Sequence, residues 1–134
     1  MAGMPFGMTE ADVMQDLGEE GIRRLAAAFY RNVRQDDLVG AMYPPHDWEG
    51  AEERFAEFLL FRLGGSMRYL ETRGHPRLRM RHMPFKIDIA ARDRWLKLME
   101  KAMDETGVSE WSRAFLVPFF SQVADFMRNQ ANEE

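Results

Sequence analysis

The chain has 134 residues, of which 46% are hydrophobic and 30% charged, with a formal net charge of −4 and no cysteine. This length predicts one domain, residues 1–134, with flexible ends at 1–8 and 129–134. The lack of cysteine excludes disulfides, iron–sulfur clusters and thiolate nucleophiles. The negative charge argues against general binding to nucleic acid or to anionic membranes. Because no secretory signal or membrane-spanning run is visible, we expect a cytoplasmic location.

The first half of the chain predicts three helices and one irregular segment. Thr9 to Asp12 has the pattern of a capping box, which opens a short helix that Gly18 closes. Prolines within residues 34–47 forbid a regular helix there. The third helix begins at Trp48 and stops at Gly64. The second and third helices each show apolar residues at three-four spacing, which marks a buried face. These residues are Ile22, Leu25, Ala26, Phe29, Tyr30 and Val33, followed by Ala51, Phe55, Phe58 and Leu59.

The second half predicts a short helix at 77–82 within an irregular stretch, and then two longer helices. The first of these ends at Gly107, and Ser109 is the expected N-cap of the last helix, which Pro118 should kink or split. Apolar faces are expected at Ala91, Trp95, Leu98, Met99, Ala102 and Met103, and at Trp111, Phe115, Phe119, Val123 and Phe126. Since no alternating strand pattern appears, the predicted fold class is all-α.

Only three histidines are available as metal ligands or catalytic bases. His46 lies in a proline-rich loop and is expected to be solvated, and His75, between a glycine and a proline, is expected to shape a turn. His82 ends the short helix beside the apolar residues Met80 and Phe85. An imidazole at such an edge can bind a metal through one nitrogen, although a structural, partly buried role is the commoner one. The sequence offers no cluster of further ligands for zinc.

Four arginines surround the same short helix, namely Arg73, Arg77, Arg79 and Arg81. They can contact phosphates or the carboxylates of an organic anion, but a solvated charged face is the commonest arrangement for such a cluster.

Three polar aromatic residues, Tyr30, Tyr43 and Trp95, occupy otherwise apolar segments. Each carries a polar hydrogen that needs a partner when buried. Residues of this kind usually belong to the core with their polar groups satisfied. If they converge on a cavity, they would surround a small polar ligand.

The run from Gly74 to Ile87, followed by Arg92-Asp93-x-Trp95, resembles the truncated haemoglobins, and among them group II. Shorter stretches match the pattern of that family in order and spacing: Phe29-Tyr30, Met42-Tyr43-Pro44, residues 50–55 and Gly64-Gly65. The resemblance covers about residues 17–104 and is looser in the last helix. The chain departs from the pattern at Leu17-Gly18, at Ser66 and at Pro118.

The resemblance implies a globin-like domain, a two-over-two helical sandwich that encloses haem b (iron protoporphyrin IX), with His82 as the proximal iron ligand. It implies a distal cage of Tyr30, Tyr43 and Trp95, with Ala51 and Phe55 at the distal wall and ligand entrance. The remaining implied haem contacts are Arg54, Tyr69 and Arg81 toward the propionates, and Met80, Phe85 and Ile87 against the ring.

Three functions follow from this resemblance or compete with it. The first is binding of O₂ or another diatomic ligand with slow release, coupled to conversion of nitric oxide or reduction of peroxide. Such turnover needs an unidentified electron donor, because the chain shows no flavin or nicotinamide domain. The second is O₂ storage or delivery. The third is a haem-free helical interaction module in which His82 is only structural. A homodimer is a candidate assembly.

Overall fold

The computed structural model describes residues 9–43, 46–64 and 89–127. This part of the chain contains four α-helices and one 3₁₀ turn, and the absence of strands within it agrees with the all-α prediction. The helices, numbered in chain order, are α1 Glu10–Arg34, α2 Trp48–Gly64, α3 Ile89–Thr106 and α4 Glu110–Met127, with the 3₁₀ turn at Gly40–Met42. Over these ranges no helix combines the length and hydrophobicity needed to cross a membrane. The predicted helix at 77–82 lies outside the described residues.

Helix α1 begins at the predicted capping box and bends at Gly18. The Thr9 hydroxyl accepts from the Asp12 amide at 3.3 Å, and the Asp12 carboxylate accepts from the Thr9 amide at 2.9 Å. Gly18 has φ 71° and ψ 170°, a conformation that essentially only glycine adopts without strain. Two helical segments therefore meet at Gly18, as the sequence predicts.

Helix α1 is the central element because it packs against α2, α3 and α4. All six residues of its predicted apolar face are buried. At its N-terminal end, Asp16 connects it to α4: the hydroxyls of Ser109 and Ser112 donate to one Asp16 carboxylate oxygen at 2.7 and 2.6 Å. These two hydrogen bonds, that from Ser112 first, lower the pKa of Asp16. Ser109 also caps α4 as predicted, accepting from the Ser112 amide at 3.1 Å.

Helix α4 differs from its prediction in its first turn. Trp111 is 44% exposed, whereas Ser112 is fully buried, so the buried stripe begins one residue later than the hydropathy pattern indicates. The hydrogen bond to Asp16 explains why a serine faces inward there. The helix continues through Pro118, so that of the two predicted alternatives the proline does not split it. Proline frees the carbonyl of Ala114, and since Ala114 is exposed this carbonyl can bond to water.

The connection between α1 and α2 is organised by Asp36. One oxygen of its carboxylate accepts from the amides of Leu38 and Val39 at 3.1 and 2.8 Å, and the other pairs with Arg94 of α3. Burial acts to raise the pKa of Asp36, but these hydrogen bonds outweigh it and the pKa is lowered. Asp36 therefore fastens to α3 the segment that leads to Tyr43.

We expect Asp36→Asn to lower the free energy of unfolding by about 1–3 kcal/mol at neutral pH, because hydrogen bonds to a charged group are lost. The native pKa lies below the ordinary value of 3.8, so the stabilisation is present above that value and is lost as the pH falls through the native pKa. Urea unfolding of the wild type and Asp36→Asn should be measured from neutral to acidic pH. The difference between their free energies of unfolding should become smaller at acidic pH.

Asp37→Asn is the matched control, because this neighbouring side chain is 99% exposed and lies 3.8 Å from Arg94. Its effect should be small, as for other exposed ion pairs. Equal destabilisation by the two substitutions, or a constant difference at every pH, would contradict the role given to Asp36.

Candidate functional site

The structure brings together the three polar aromatic residues that the sequence singles out. Tyr30 lies on α1, Tyr43 follows the 3₁₀ turn, and Trp95 lies on α3. The Tyr30 hydroxyl donates to the Tyr43 oxygen at 3.4 Å, and the Trp95 side chain lies near enough to Tyr43 to lower the pKa of its hydroxyl as a hydrogen-bond donor does. Tyr30 and Trp95 are almost completely buried, and Tyr43 is half-buried. Residues distant in the sequence thus form one polar cluster.

The direction of these hydrogen bonds identifies one remaining donor. An indole N–H can only donate, so Trp95 donates to Tyr43, as Tyr30 does. A tyrosine hydroxyl has two lone pairs and one hydrogen. The hydrogen of Tyr43 takes part in neither of these contacts and is available for a further acceptor. The cluster is therefore arranged to donate to a negatively polarised atom.

Both tyrosines are held in their neutral form. Burial, reinforced by the neighbouring Tyr43, raises the pKa of Tyr30 well above its ordinary value. Burial also raises the pKa of Tyr43, by more than the hydrogen bonds from Tyr30 and Trp95 lower it. Each tyrosine consequently keeps its hydroxyl hydrogen throughout the physiological pH range and can act as a donor.

Aromatic rings from several helices surround this cluster and fix the orientation of the Trp95 indole. Phe29 meets the indole edge-on with ring centroids 5.1 Å apart, Phe120 lies 5.9 Å from it, and Phe55 lies 6.2 Å from it at 89°. Ala51, one helical turn before Phe55 on α2, is also buried. The predicted pair Ala51 and Phe55 thus lies on the α2 side of the cluster.

Three aromatic residues of the site are missing from the sequence prediction. The apolar spacing of α1 places Phe29 in the core, and nothing in the pattern of α4 singles out Phe120, yet both contact Trp95. Trp48 lies against Tyr43, with ring centroids 5.5 Å apart. Trp48 precedes the predicted site residue Ala51 by three positions, which places both on the same side of α2. This helical spacing could have identified Trp48 from the sequence.

Other predicted site residues lie outside the described part of the chain, namely Tyr69, Met80, Arg81, His82, Phe85 and Ile87. Arg54 is described, and its guanidinium lies 2.9 Å from the carboxylate of Asp47, just before α2. His46 is exposed, as expected. Within residues 9–43, 46–64 and 89–127, no three or more histidine, aspartate or glutamate side chains gather as metal ligands would.

The described residues fit the cofactor that the resemblance implies. The side chains around the cluster, Phe55, Ala51 and the neighbouring rings, are apolar, as burial of a flat macrocycle requires. The polar cluster at Tyr43 lies among these apolar side chains and holds a hydroxyl hydrogen that a ligand could accept. This donor chemistry suits a ligand that gains negative charge on binding to ferrous iron.

Comparisons with known proteins agree with this geometry. A family model described as bacterial-like globin matches residues 14–129. The group 2 truncated hemoglobin YjbI of Bacillus subtilis is 37% identical over 118 residues, which cover 88% of this chain and 89% of that protein. The crystal structure of the group II truncated hemoglobin from Bacillus anthracis superposes with a TM-score of 0.84 at 34% identity, covering 90% of this chain and 98% of that one.

A further similar structure is a truncated haemoglobin from Bacillus subtilis that is described as oxygen-avid. It has a TM-score of 0.81 and 35% identity, and the match covers 87% of this chain and 98% of that one. The predicted two-over-two helical fold is confirmed by these structures. The chain therefore belongs to the group II truncated haemoglobins, globins that bind haem and, through it, small ligands.

Proposed function

We propose that this protein binds haem b with His82 as the iron ligand and holds O₂, or another diatomic molecule, beneath Tyr43 and Trp95 with slow release. The observation that carries the proposal is the convergence of Tyr30 and Trp95 on the oxygen of Tyr43. His82 is assigned from its place in the family motif, Gly74 to Ile87. The relative described as oxygen-avid supports the expectation of tight binding.

Haem, when bound, would supply ferrous iron that binds a diatomic ligand and gives it partial negative charge. Tyr43 donates its uncommitted hydrogen to that ligand. Trp95 provides a second N–H, which a bound ligand can share with the Tyr43 oxygen without movement of the indole. Tyr30 acts indirectly, because its hydroxyl holds the Tyr43 oxygen in place. Phe55 and Ala51 present apolar surface that keeps water away from these hydrogen bonds.

The energies of these bonds favour retention over delivery. A hydrogen bond to a charged group contributes about 1.5–3 kcal/mol. Two such bonds, if broken during dissociation, slow release by roughly two to four orders of magnitude. Slow release suits redox chemistry better than storage or delivery, and that chemistry needs an external electron donor.

We expect Trp95→Phe and Tyr43→Phe each to accelerate O₂ release by roughly ten- to a hundredfold, because each removes one hydrogen bond to the ligand. Tyr30→Phe should have a smaller effect, since it disturbs only the placement of Tyr43. The rates can be measured by stopped-flow displacement of O₂ with carbon monoxide.

Trp111→Phe is the control for these rates, because Trp111 is 44% exposed on α4. Its release rate should match that of the wild type. An unchanged rate in Trp95→Phe, or a larger effect of Tyr30→Phe than of Tyr43→Phe, would contradict the roles assigned here.

Absorption spectra test the iron ligand directly. Wild-type protein supplied with haem should show a strong Soret band that shifts when O₂ binds the ferrous form. His82→Ala should lose or alter this band, whereas His46→Ala, which changes an exposed histidine, should retain it. A wild-type protein that stays colourless would favour the haem-free interaction module, and an unaltered spectrum in His82→Ala would refute the ligand assignment.

A further inference from the structure

An aromatic path leads from the Tyr43 cluster toward the protein surface. Tyr30 and Tyr43 have ring centroids 5.3 Å apart, and the Tyr43 ring lies 5.5 Å from Trp48 at an interplanar angle of 32°. Trp48 is the first residue of α2 and is partly exposed, whereas Tyr30 is buried. Tyrosine and tryptophan are the side chains that most readily lose a single electron. Tyr43 and Trp48 are thus two adjacent oxidisable groups, one in the polar cluster and one partly exposed.

Arg34 gives this surface group a particular electrostatic environment. Its guanidinium carbon lies 5.5 Å from the centroid of the Trp48 ring. A neutral indole attracts the cation, but an indole that has lost an electron carries positive charge and is repelled by it. An oxidised Trp48 is therefore disfavoured and should be reduced quickly by any donor that reaches it. The Arg34 charge also favours the approach of an anionic donor.

We propose that Trp48 is the surface site at which the protein takes single electrons from a bulky, anionic aromatic reductant, and that Tyr43 passes them to the haem pocket during reduction of hydrogen peroxide. This inference rests on the proposed haem function and names peroxide as the oxidant. The reductant need not enter the apolar pocket, because the Tyr43–Trp48 contact connects that pocket with the surface.

The overall reaction balances with these reactants. The O–O bond of one hydrogen peroxide molecule breaks, and with two electrons and two protons from the medium it yields two water molecules. Two reductant molecules each lose one electron and become radicals. At each step Tyr43 gives up an electron together with its hydroxyl proton, which goes to the oxygen being reduced. Trp48 returns the electron, a proton from the medium restores the hydroxyl, and the reductant restores Trp48.

The chain provides a second tryptophan with surface exposure, Trp111, for comparison with the partly exposed Trp48. Trp48→Phe keeps an aromatic ring on Tyr43 but removes the oxidisable indole. Trp111→Phe removes an indole that is 44% exposed at the start of α4. Haem-loaded wild type and both variants are mixed with hydrogen peroxide and the bulky dianionic dye ABTS. The Soret change gives the rate of reaction with peroxide, and the dye radical gives the rate of electron uptake.

We expect Trp48→Phe to oxidise ABTS roughly tenfold more slowly, while its Soret change keeps the wild-type rate. Trp111→Phe should match the wild type in both measurements. Without ABTS, a nitroso spin trap followed by peptide mass spectrometry should find an adduct on Trp48 in the wild type. That adduct should be absent in Trp48→Phe and more abundant in Arg34→Gln, in which the positive charge no longer opposes the oxidised indole.

Equal ABTS rates in wild type and Trp48→Phe, with a normal Soret change, would overturn this inference and leave the haem function intact. Loss of as much dye oxidation in Trp111→Phe as in Trp48→Phe would overturn it in the same way. A Soret band present but unaffected by peroxide would overturn the electron path alone. Failure to form a Soret band at all would overturn the haem function and, with it, the electron path.

Discussion

A buried hydroxyl or indole N–H is costly unless it has a hydrogen-bond partner, and the arrangement of the described site follows from that constraint. Tyr30 and Trp95 lie almost entirely out of water, so each needs an acceptor within the protein. Both use the oxygen of Tyr43. Satisfying two donors with one acceptor leaves the hydrogen of that acceptor free for another bond. Because the buried donors need an acceptor within the protein, the site is left with a hydroxyl hydrogen, that of Tyr43, which can be donated to a ligand.

The surrounding structure keeps Tyr43 where this arrangement needs it. Tyr30 and Trp95 are carried by α1 and α3, which pack against each other, whereas Tyr43 follows the 3₁₀ turn in the connection between α1 and α2. Asp36 restrains this connection, because its carboxylate bonds both to two amides of the connection and to the guanidinium of Arg94. The carboxylate of Asp36 therefore helps to hold the hydroxyl of Tyr43 in place, although Asp36 itself is not part of the site.

The sequence alone predicts those features that depend on local spacing and turn chemistry. The buried face of α1, the bend at Gly18 and the serine cap of α4 are predicted correctly because each depends on residues near one another in the chain. The prediction for Trp111 is wrong because hydropathy does not register a hydrogen bond between Ser112 and the distant Asp16. Likewise, the residue types indicate that Tyr30, Tyr43 and Trp95 could converge. They do not indicate which tyrosine oxygen would accept hydrogen bonds from the other two residues. That direction is set only by three-dimensional packing.

The contacts of Tyr43 with Tyr30 and Trp95 also explain how one residue could serve both in ligand retention and in electron transfer. A phenol that donates to a ligand can lose an electron easily only if its proton has a destination, and the ligand to which it donates provides one. Tyr30 and Trp95 keep the oxygen of Tyr43 fixed, so that loss of the proton requires little movement of the ring. On its other side, Tyr43 contacts Trp48, from which an electron can return. Under the proposed function, the same hydrogen would slow release of a stable ligand and would accompany the electron when the ligand is reduced.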